Sequence, residues 1–291
     1  MPNSVRQVAV KTMEMLSRTR QPFLNPTHVF RLMAKGMPTA CGCEDVLSIK
    51  LTAVLISEAC GGTLVIMSEN QAPQFVIVEA DSAASGSVLK YSEVVSPMVE
   101  EVGGSVLLAA PADVAEVLEE GSEPHAVLVL KFPSEDRASD FWSSDANQQA
   151  FGELFSHEAF LHAVSVPGIP EDGLPNEPLP TTANVTIPQR DGPKAYMLVQ
   201  GTVSDPDPIG AYMETIIPMI IERGGVYRAW TLPDGPSVLA GDWQPQYLVL
   251  SEWPTIEEPR DFWYSDTYQN VAIPTRQPAS DFTVLLFEAK L

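Results

Sequence analysis

His162 lies in the run Phe160-Leu-His-Ala-Val-Ser-Val166, whose alternation is that of a strand. That period places the imidazole on the face of Phe160, Val164 and Val166. An imidazole aimed at an apolar cavity suits general acid–base work near neutral pH, although a core histidine with satisfied hydrogen bonds would read the same way. Glu79 stands beside Ile77 on another short strand. A carboxylate on an apolar face would be pushed up in pKa and could accept a proton; a strand-end side chain reaching solvent is the competing reading. Tyr91 and Tyr212 each fall about one turn into a helix. Their hydroxyls could donate to a ligand carbonyl, or simply reach the surface from an apolar ring. Trp142, Trp263 and Phe262 could wall a substrate or pack a core. His125, His157 and His162 could converge with Glu79 or Glu158, although they come from different strands.

The elements that must position these residues occur twice. Shifted by 121 positions, residues 87–149 fall on 208–270 without a gap and with 18 identities in 63 positions. The identities include Tyr91/Tyr212, Pro97-Met98/Pro218-Met219, Gly103-Gly104/Gly224-Gly225 and Asp140-Phe-Trp142/Asp261-Phe-Trp263. Glu79 and Gln200 occupy one position of the repeat, whereas no histidine matches His162. Each copy opens with a β-rich strand, Phe75–Ala80 or Tyr196–Gly201. A helix follows, with Val88, Tyr91, Val95, Met98 and Val102, or Ile209, Tyr212, Ile216, Met219 and Ile220, on one face. Pro97 and Pro218 fall inside these helices and should kink both. The Gly-Gly pairs suit a left-handed C-cap. Strands at 105–110 and 226–232 lead through acidic or Gly-rich loops to strands at 125–132 and 246–253, each closed by a proline. Thr255-Ile-Glu-Glu258 is a capping box for the next helix, and Ser134 caps its counterpart. Ser144-Asp145 and Ser265-Asp266 read as N-caps of a further helical turn rather than as nucleophiles. Final strands cover 160–166 and 282–287. The order β-α-β-β-α-β is the ferredoxin-like split unit, and the fold class is α+β.

The repeats span 71–168 and 194–291, joined by a linker over 169–193. The stretch from Pro167 to Pro193 holds seven prolines and reads as an extended spacer. Residues 1–70 form an N-terminal helical extension, with helices over about 5–18, from 26 to Gly36 and over 45–60, then a strand over 63–68. Its Cys-Gly-Gly ending resembles the repeat helices and suggests a third, truncated copy. The net charge is −21, with seven Lys/Arg against five Asp/Glu in residues 1–70 and ten against thirty-three in the remainder. Such an acidic body repels phosphate backbones, so nucleic acid is not an expected partner. No apolar run is long enough to span a membrane, so a membrane is not expected either. The acid-poor N-terminus fits a plain amphipathic helix or an organelle-transit segment, and a cytoplasmic location is the expectation. Three cysteines, Cys41, Cys43 and Cys60, argue for a reducing compartment rather than a disulfide framework. There is no Gly-rich phosphate loop, and four histidines make a multi-histidine metal site improbable.

The second copy, with Tyr247-Leu-Val-Leu-Ser-Glu-Trp-Pro254, Phe262-Trp-Tyr-Ser-Asp-Thr-Tyr-Gln269 and Arg276, resembles the domain-of-unknown-function 1330 family. Tyr212, Pro218, Gly224 and Gly225 fit the same pattern, and the first copy departs from it at Asn147 and Phe155. That family is similar to the dimeric α+β barrels, in which two ferredoxin-like sheets face each other with helices outside. The resemblance implies an intramolecular, pseudo-dimeric barrel. It also makes Arg276 a substrate-binding anchor for an anionic group, with pairing to Glu252 or Asp266 as the structural alternative. The superfamily spans cofactor-independent oxygenases, isomerases, cyclases, heme-handling enzymes and non-catalytic members. The leading expectation is a cofactor-independent enzyme acting on a small, largely apolar or aromatic molecule in a sheet–helix cavity. A non-catalytic binding or interaction module is the alternative. No cofactor is expected, with heme or a divalent metal left open, and self-association through the N-terminal extension is open too. The scaffold residues match between copies while the polar ones diverge, which points to one site per chain.

Overall fold

The computed structural model describes residues 72–119, 122–155, 159–170, 179–231 and 235–289. The N-terminal helices, the 63–68 strand, the truncated third copy and the cysteines lie outside the described residues, as does His157. Ser68–Leu291 is one compact unit that holds both repeats.

The first repeat runs β1 (Gln74–Ala80), α1 (Ser85–Glu101), β2 (Ser105–Ala110), β3 (Glu116–Val117), β4 (Ala126–Phe132), α2 (Glu135–Ser143), α3 (Asp145–Leu154) and β5 (Phe160–Pro167). The second runs β6 (Ala195–Val203), α4 (Asp207–Glu222), β7 (Val226–Trp230), β8 (Ser237–Gly241), β9 (Tyr247–Trp253) and α5 (Glu257–Trp263). A π-helical turn (Tyr268–Ala272), α6 (Ile273–Arg276) and β10 (Ser280–Glu288) complete it. Pro97 and Pro218 lie inside α1 and α4. The expected caps form: Ser134 Oγ accepts from the Arg137 amide, and Glu258 reaches back to the Thr255 amide at 3.0 Å. Ser144 and Ser265 each accept from an amide three residues on, both at 3.3 Å.

The two glycines that end α1 and α4 serve different needs. Gly103 and Gly224 have φ of 80° and 72°, the left-handed conformation that closes a helix. Gly104 and Gly225 are small because of what lies above them. A Cβ on Gly104 would sit 2.7 Å from the Lys131 carbonyl oxygen, and one on Gly225 would sit 2.8 Å from the Trp253 ring. Gly225→Ala should therefore cost about 1–3 kcal/mol, because the buried Trp253 ring and the Ile220 side chain, 2.8 and 2.9 Å from the added Cβ, must both shift. A thermal melt should show Tm lowered by roughly 3–10 °C; an unchanged Tm would contradict the close approach.

Both sheets are antiparallel throughout, with orders β2-β4-β1-β5-β8 and β3-β10-β6-β9-β7. Each sheet thus takes its edge strand from the other repeat. β8 pairs with β5 through Ala163↔Ala240 and Val164↔Val238, and β3 pairs with β10 through Leu285↔Val117 and Leu286↔Glu116. Both short strands fall in the stretches expected from the sequence to be loops. Their signal was present: Val117-Leu118 and Val238-Leu239 are identical at the 121-residue offset. The exchange buries edges that an isolated ferredoxin-like unit would expose.

Between the sheets lies a shared core that includes Phe75, Ile77, Val129, Leu198, Leu250 and Phe287. Helices cover the outer faces over two further cores, one per repeat. This is the α+β barrel expected from the resemblance, closed within one chain. The described ends of the linker are tied to β7: Ile169 donates to Arg228 O at 2.9 Å, and Tyr227 donates to Pro180 O at 2.8 Å. Among the described residues no helix is long and apolar enough to cross a membrane.

Candidate functional site

Alternation sends successive strand side chains to opposite faces, so Glu79 follows Phe75 and Ile77 into the barrel, and Gln200 follows Tyr196 and Leu198. The two residues meet there, with the Gln200 amide donating to Glu79 Oε1. His162 Nε2 lies 3.0 Å from the same oxygen, and His125 Nδ1 lies 3.2 Å from Oε2. The Trp243 ring, which follows β8, stands perpendicular to His162 at 4.7 Å. Its Nε1 has no hydrogen-bond partner among the described residues.

Three expectations are corrected here. Glu79 is fully buried rather than reaching solvent from a strand end. Its pKa is not raised: burial alone would lift it, but hydrogen bonds and charge attraction from His125 and His162 outweigh burial and bring it down to about 2. It is therefore a bound anion and not a base near neutral pH. His162 also does not share a face with Phe160. The β1–β5 register pairs Glu79 with His162 but Ala80 with Phe160, so Leu161 is an extra residue and Phe160 swings to the helix side. Glu79, His125 and His162 do converge, but onto each other. Among the described residues no group of three or more His, Cys, Asp or Glu is arranged to hold a metal ion.

An open site lies on the other side of the second sheet. Between β6, β9 and α4 is a cavity of about 150 Å³ lined almost entirely by apolar and aromatic side chains, among them Met197, Val199, Ile216, Trp253, Phe262 and Phe282. Tyr212 and Tyr268 face it and share a hydrogen bond of 3.1 Å between their hydroxyls. Burial raises the pKa of both phenols despite the nearby Arg276 charge, so they keep their protons. Among the described lining residues there is no carboxylate or imidazole.

Arg276 lies behind this wall and is only 1% exposed. Its guanidinium carbon is 5.8 Å from the Tyr212 ring centre, 6.0 Å from Trp263 and 5.2 Å from Phe282, within cation–π range. Its ion-pair partner is neither Glu252 nor Asp266. Glu252 is taken by Arg228 at 2.9 Å and Lys194 at 2.6 Å. Arg276 instead pairs with Glu119, just past the exchanged strand β3 of the first repeat. No sequence signal links two residues 157 positions apart. Tyr268 was likewise missed as a site residue, although its mismatch with Asn147 at the repeat offset was visible.

The matching space in the first repeat is filled. Tyr91 is buried, not reaching the surface, and donates to Asn147 Oδ1 at 2.6 Å. Its ring packs edge-on against Phe151 and Phe155, which in turn meet Phe160, and Trp142 closes on Phe151. Trp142 is thus core, and Trp263 packs on Tyr268 at 4.7 Å. Of the sequence candidates, Tyr212 and Phe262 line the cavity and Arg276 and Trp263 back it. His162 and Glu79 lie in the barrel, and Tyr91 and Trp142 lie in the filled layer.

Two interlocked ferredoxin-like repeats, the second with an apolar sheet–helix cavity, define a single-chain α+β barrel. A family model described as "Domain of unknown function (DUF1330)" matches residues 73–157 and 194–290, well over half of the sequence, and the chain belongs to that family. No sequence match is found among curated proteins. Among solved structures, the chain is similar to a candidate monooxygenase from Fusobacterium nucleatum at 11% identity, covering 76% of this chain and 94% of that one, with TM-score 0.45. It is also similar to a mutant chlorite dismutase from Candidatus Nitrospira defluvii at 9% identity, covering 77% and 93%, with TM-score 0.43. A candidate monooxygenase from Lactobacillus acidophilus is similar at 11% identity, covering 75% and 97%, with TM-score 0.39.

Proposed function

We propose that the second repeat's cavity binds one small, largely apolar ring-bearing molecule and holds its carbonyl or hydroxyl oxygen with the Tyr212–Tyr268 pair. The observation that carries this reading is the cavity itself: aromatic walls around about 150 Å³, with two protonated phenols as the polar handle. An engineered apolar cavity of about this volume takes one benzene ring, which sets the ligand's size. Polar handles in an otherwise apolar pocket fix orientation and discriminate sharply, because a ligand lacking the group leaves them unpaired. Calorimetric titration with toluene, phenol and benzaldehyde tests this. Benzaldehyde and phenol should bind more tightly than toluene, and Tyr212→Phe with Tyr268→Phe should reduce that preference by about tenfold. Absence of binding by all three would sink the reading.

The same pair favours a second reading, a cofactor-independent enzyme of the isomerase, cyclase or oxygenase type. Two buried phenols backed by a guanidinium would stabilise an enolate oxygen, a contribution worth about 10²–10³-fold per donor in rate. The described walls offer no base, so the proton leaving carbon would pass to water. Deuterium exchange beside the carbonyl of a bound ketone, followed by NMR, is the readout. Exchange no faster than in buffer would leave the binding reading alone.

A further inference from the structure

We infer that the ligand carries a carboxylate, which reaches Arg276 by displacing Glu119, an internal carboxylate that stands in for it when the cavity is unliganded. This rests on the cavity reading above and narrows its substrate class to single-ring or similarly sized apolar carboxylic acids.

A guanidinium that is 1% exposed has given up almost all its water and needs an anion. Among the described residues only Glu119 supplies one, and it does so incompletely. One of its oxygens bonds Nη2 closely, while the other is 3.5 Å from Nη1, and Nε has no hydrogen-bond partner among the described residues. A guanidinium offers five donors in a planar fork, and a carboxylate seated along its Nε–Nη2 edge would make two parallel hydrogen bonds. Glu119 comes from the first repeat, two residues past a strand of only two residues, and its side chain keeps 14% exposure. It is the more weakly held and more accessible half of the pair.

Arg276 and the cavity share walls. Tyr212 and Phe282 line the cavity, and both rings lie within 6 Å of the guanidinium carbon. A ring in the cavity with a short carboxylated tail would pass between them to Arg276. The first repeat has phenylalanine at position 155, where the sequence offset sets Arg276, and its layer is filled. The cation and the empty space thus occur together in one repeat and are absent together from the other. Glu119 would then be a specificity element: its carboxylate repels an anionic ligand until the two exchange places.

The test is calorimetric titration of the full chain with 3-phenylpropanoate and with 3-phenylpropan-1-ol, which has the same ring and tail but no charge. Glu119→Gln should bind the acid at least about tenfold more tightly than the wild type and the alcohol equally well. The double variant Glu119→Gln/Arg276→Gln removes both charges together, so neither is stranded, and should lose the preference for the acid over the alcohol. If Glu119→Gln leaves acid affinity unchanged while the alcohol still binds, the carboxylate inference is overturned and the cavity reading survives. If neither compound binds any folded variant, both are overturned.

Discussion

Glu79→Ala should lower the melting temperature at pH 7 by roughly 6–20 °C. Glu79 is wholly buried and is the shared acceptor for His125, His162 and Gln200. Its removal leaves the buried His162 and Gln200 without their acceptor and takes the partner from the partly exposed His125, and breaking such a buried arrangement from one side costs about 3–5 kcal/mol. The pH dependence follows from the depressed carboxyl. Its folded pKa of about 2 lies below the unfolded value, so the native state holds fewer protons. The stability from Glu79 is therefore fully present above about pH 4.3 and is lost as pH falls toward 2. Urea melts should show the gap between wild type and Glu79→Ala narrowing as pH falls from about 4 toward 2. A gap of unchanged width at pH 3 would mean that Glu79 contributes by packing alone.

The same contact explains a mismatch that the sequence displays without its reason. Glu79 and Gln200 stand at one repeat position, and an evolving pair of copies could have kept either residue twice. The barrel brings both onto its pseudo-two-fold axis, where two carboxylates in contact would oppose each other's ionisation. Glutamate opposite glutamine satisfies both, with the amide donating to the carboxylate. Proximity thus disfavours a second carboxylate at this position and is met by one glutamine.

Strand and helix alternation, the Gly-Gly turns and the serine and threonine caps were all legible, because each is written in neighbouring residues. The exchange of β3 and β8 was not, since it depends on where a loop lands across the other repeat. Phe160, and not His162, is the residue that alternation places on the wrong face, for an equally local reason. One extra residue, Leu161, breaks the two-residue period between Phe160 and His162, and sequence alternation has no marker for a bulge. The second copy takes up its own irregularity in the π-helical turn at Tyr268–Ala272, just ahead of Arg276. A π turn accommodates one extra residue in a helix and often marks a functional position. Here it lies on the stretch that supplies both Tyr268 and Arg276. The cavity itself was expected in outline, but which copy would hold it depended on three phenylalanines packing in one layer and not in the other.

Val199→Phe should abolish ring binding in the second repeat, weakening it at least about 100-fold, while Tm stays level or rises by a few degrees. Val199 projects from the middle of β6 into the cavity, and phenylalanine is as compatible with a strand as valine. A phenyl ring tethered there occupies the volume that the ligand ring would take. Unfilled space of about 150 Å³ represents up to about 3–4 kcal/mol of forgone packing at 24 cal/mol per Å³. Strain from an imperfect fit takes back about 1–3 kcal/mol, so the net change in stability is small or favourable. A lining residue of a purely structural void would give the same melting result, which is why binding is the deciding measurement. The first repeat already contains this experiment. Phe151, Phe155 and Phe160 close its sheet–helix layer with ring contacts of 4.9–5.5 Å. If the filled variant still titrates with benzaldehyde like the wild type, the ligand sits elsewhere, and the emptiness of the second repeat's layer has another cause.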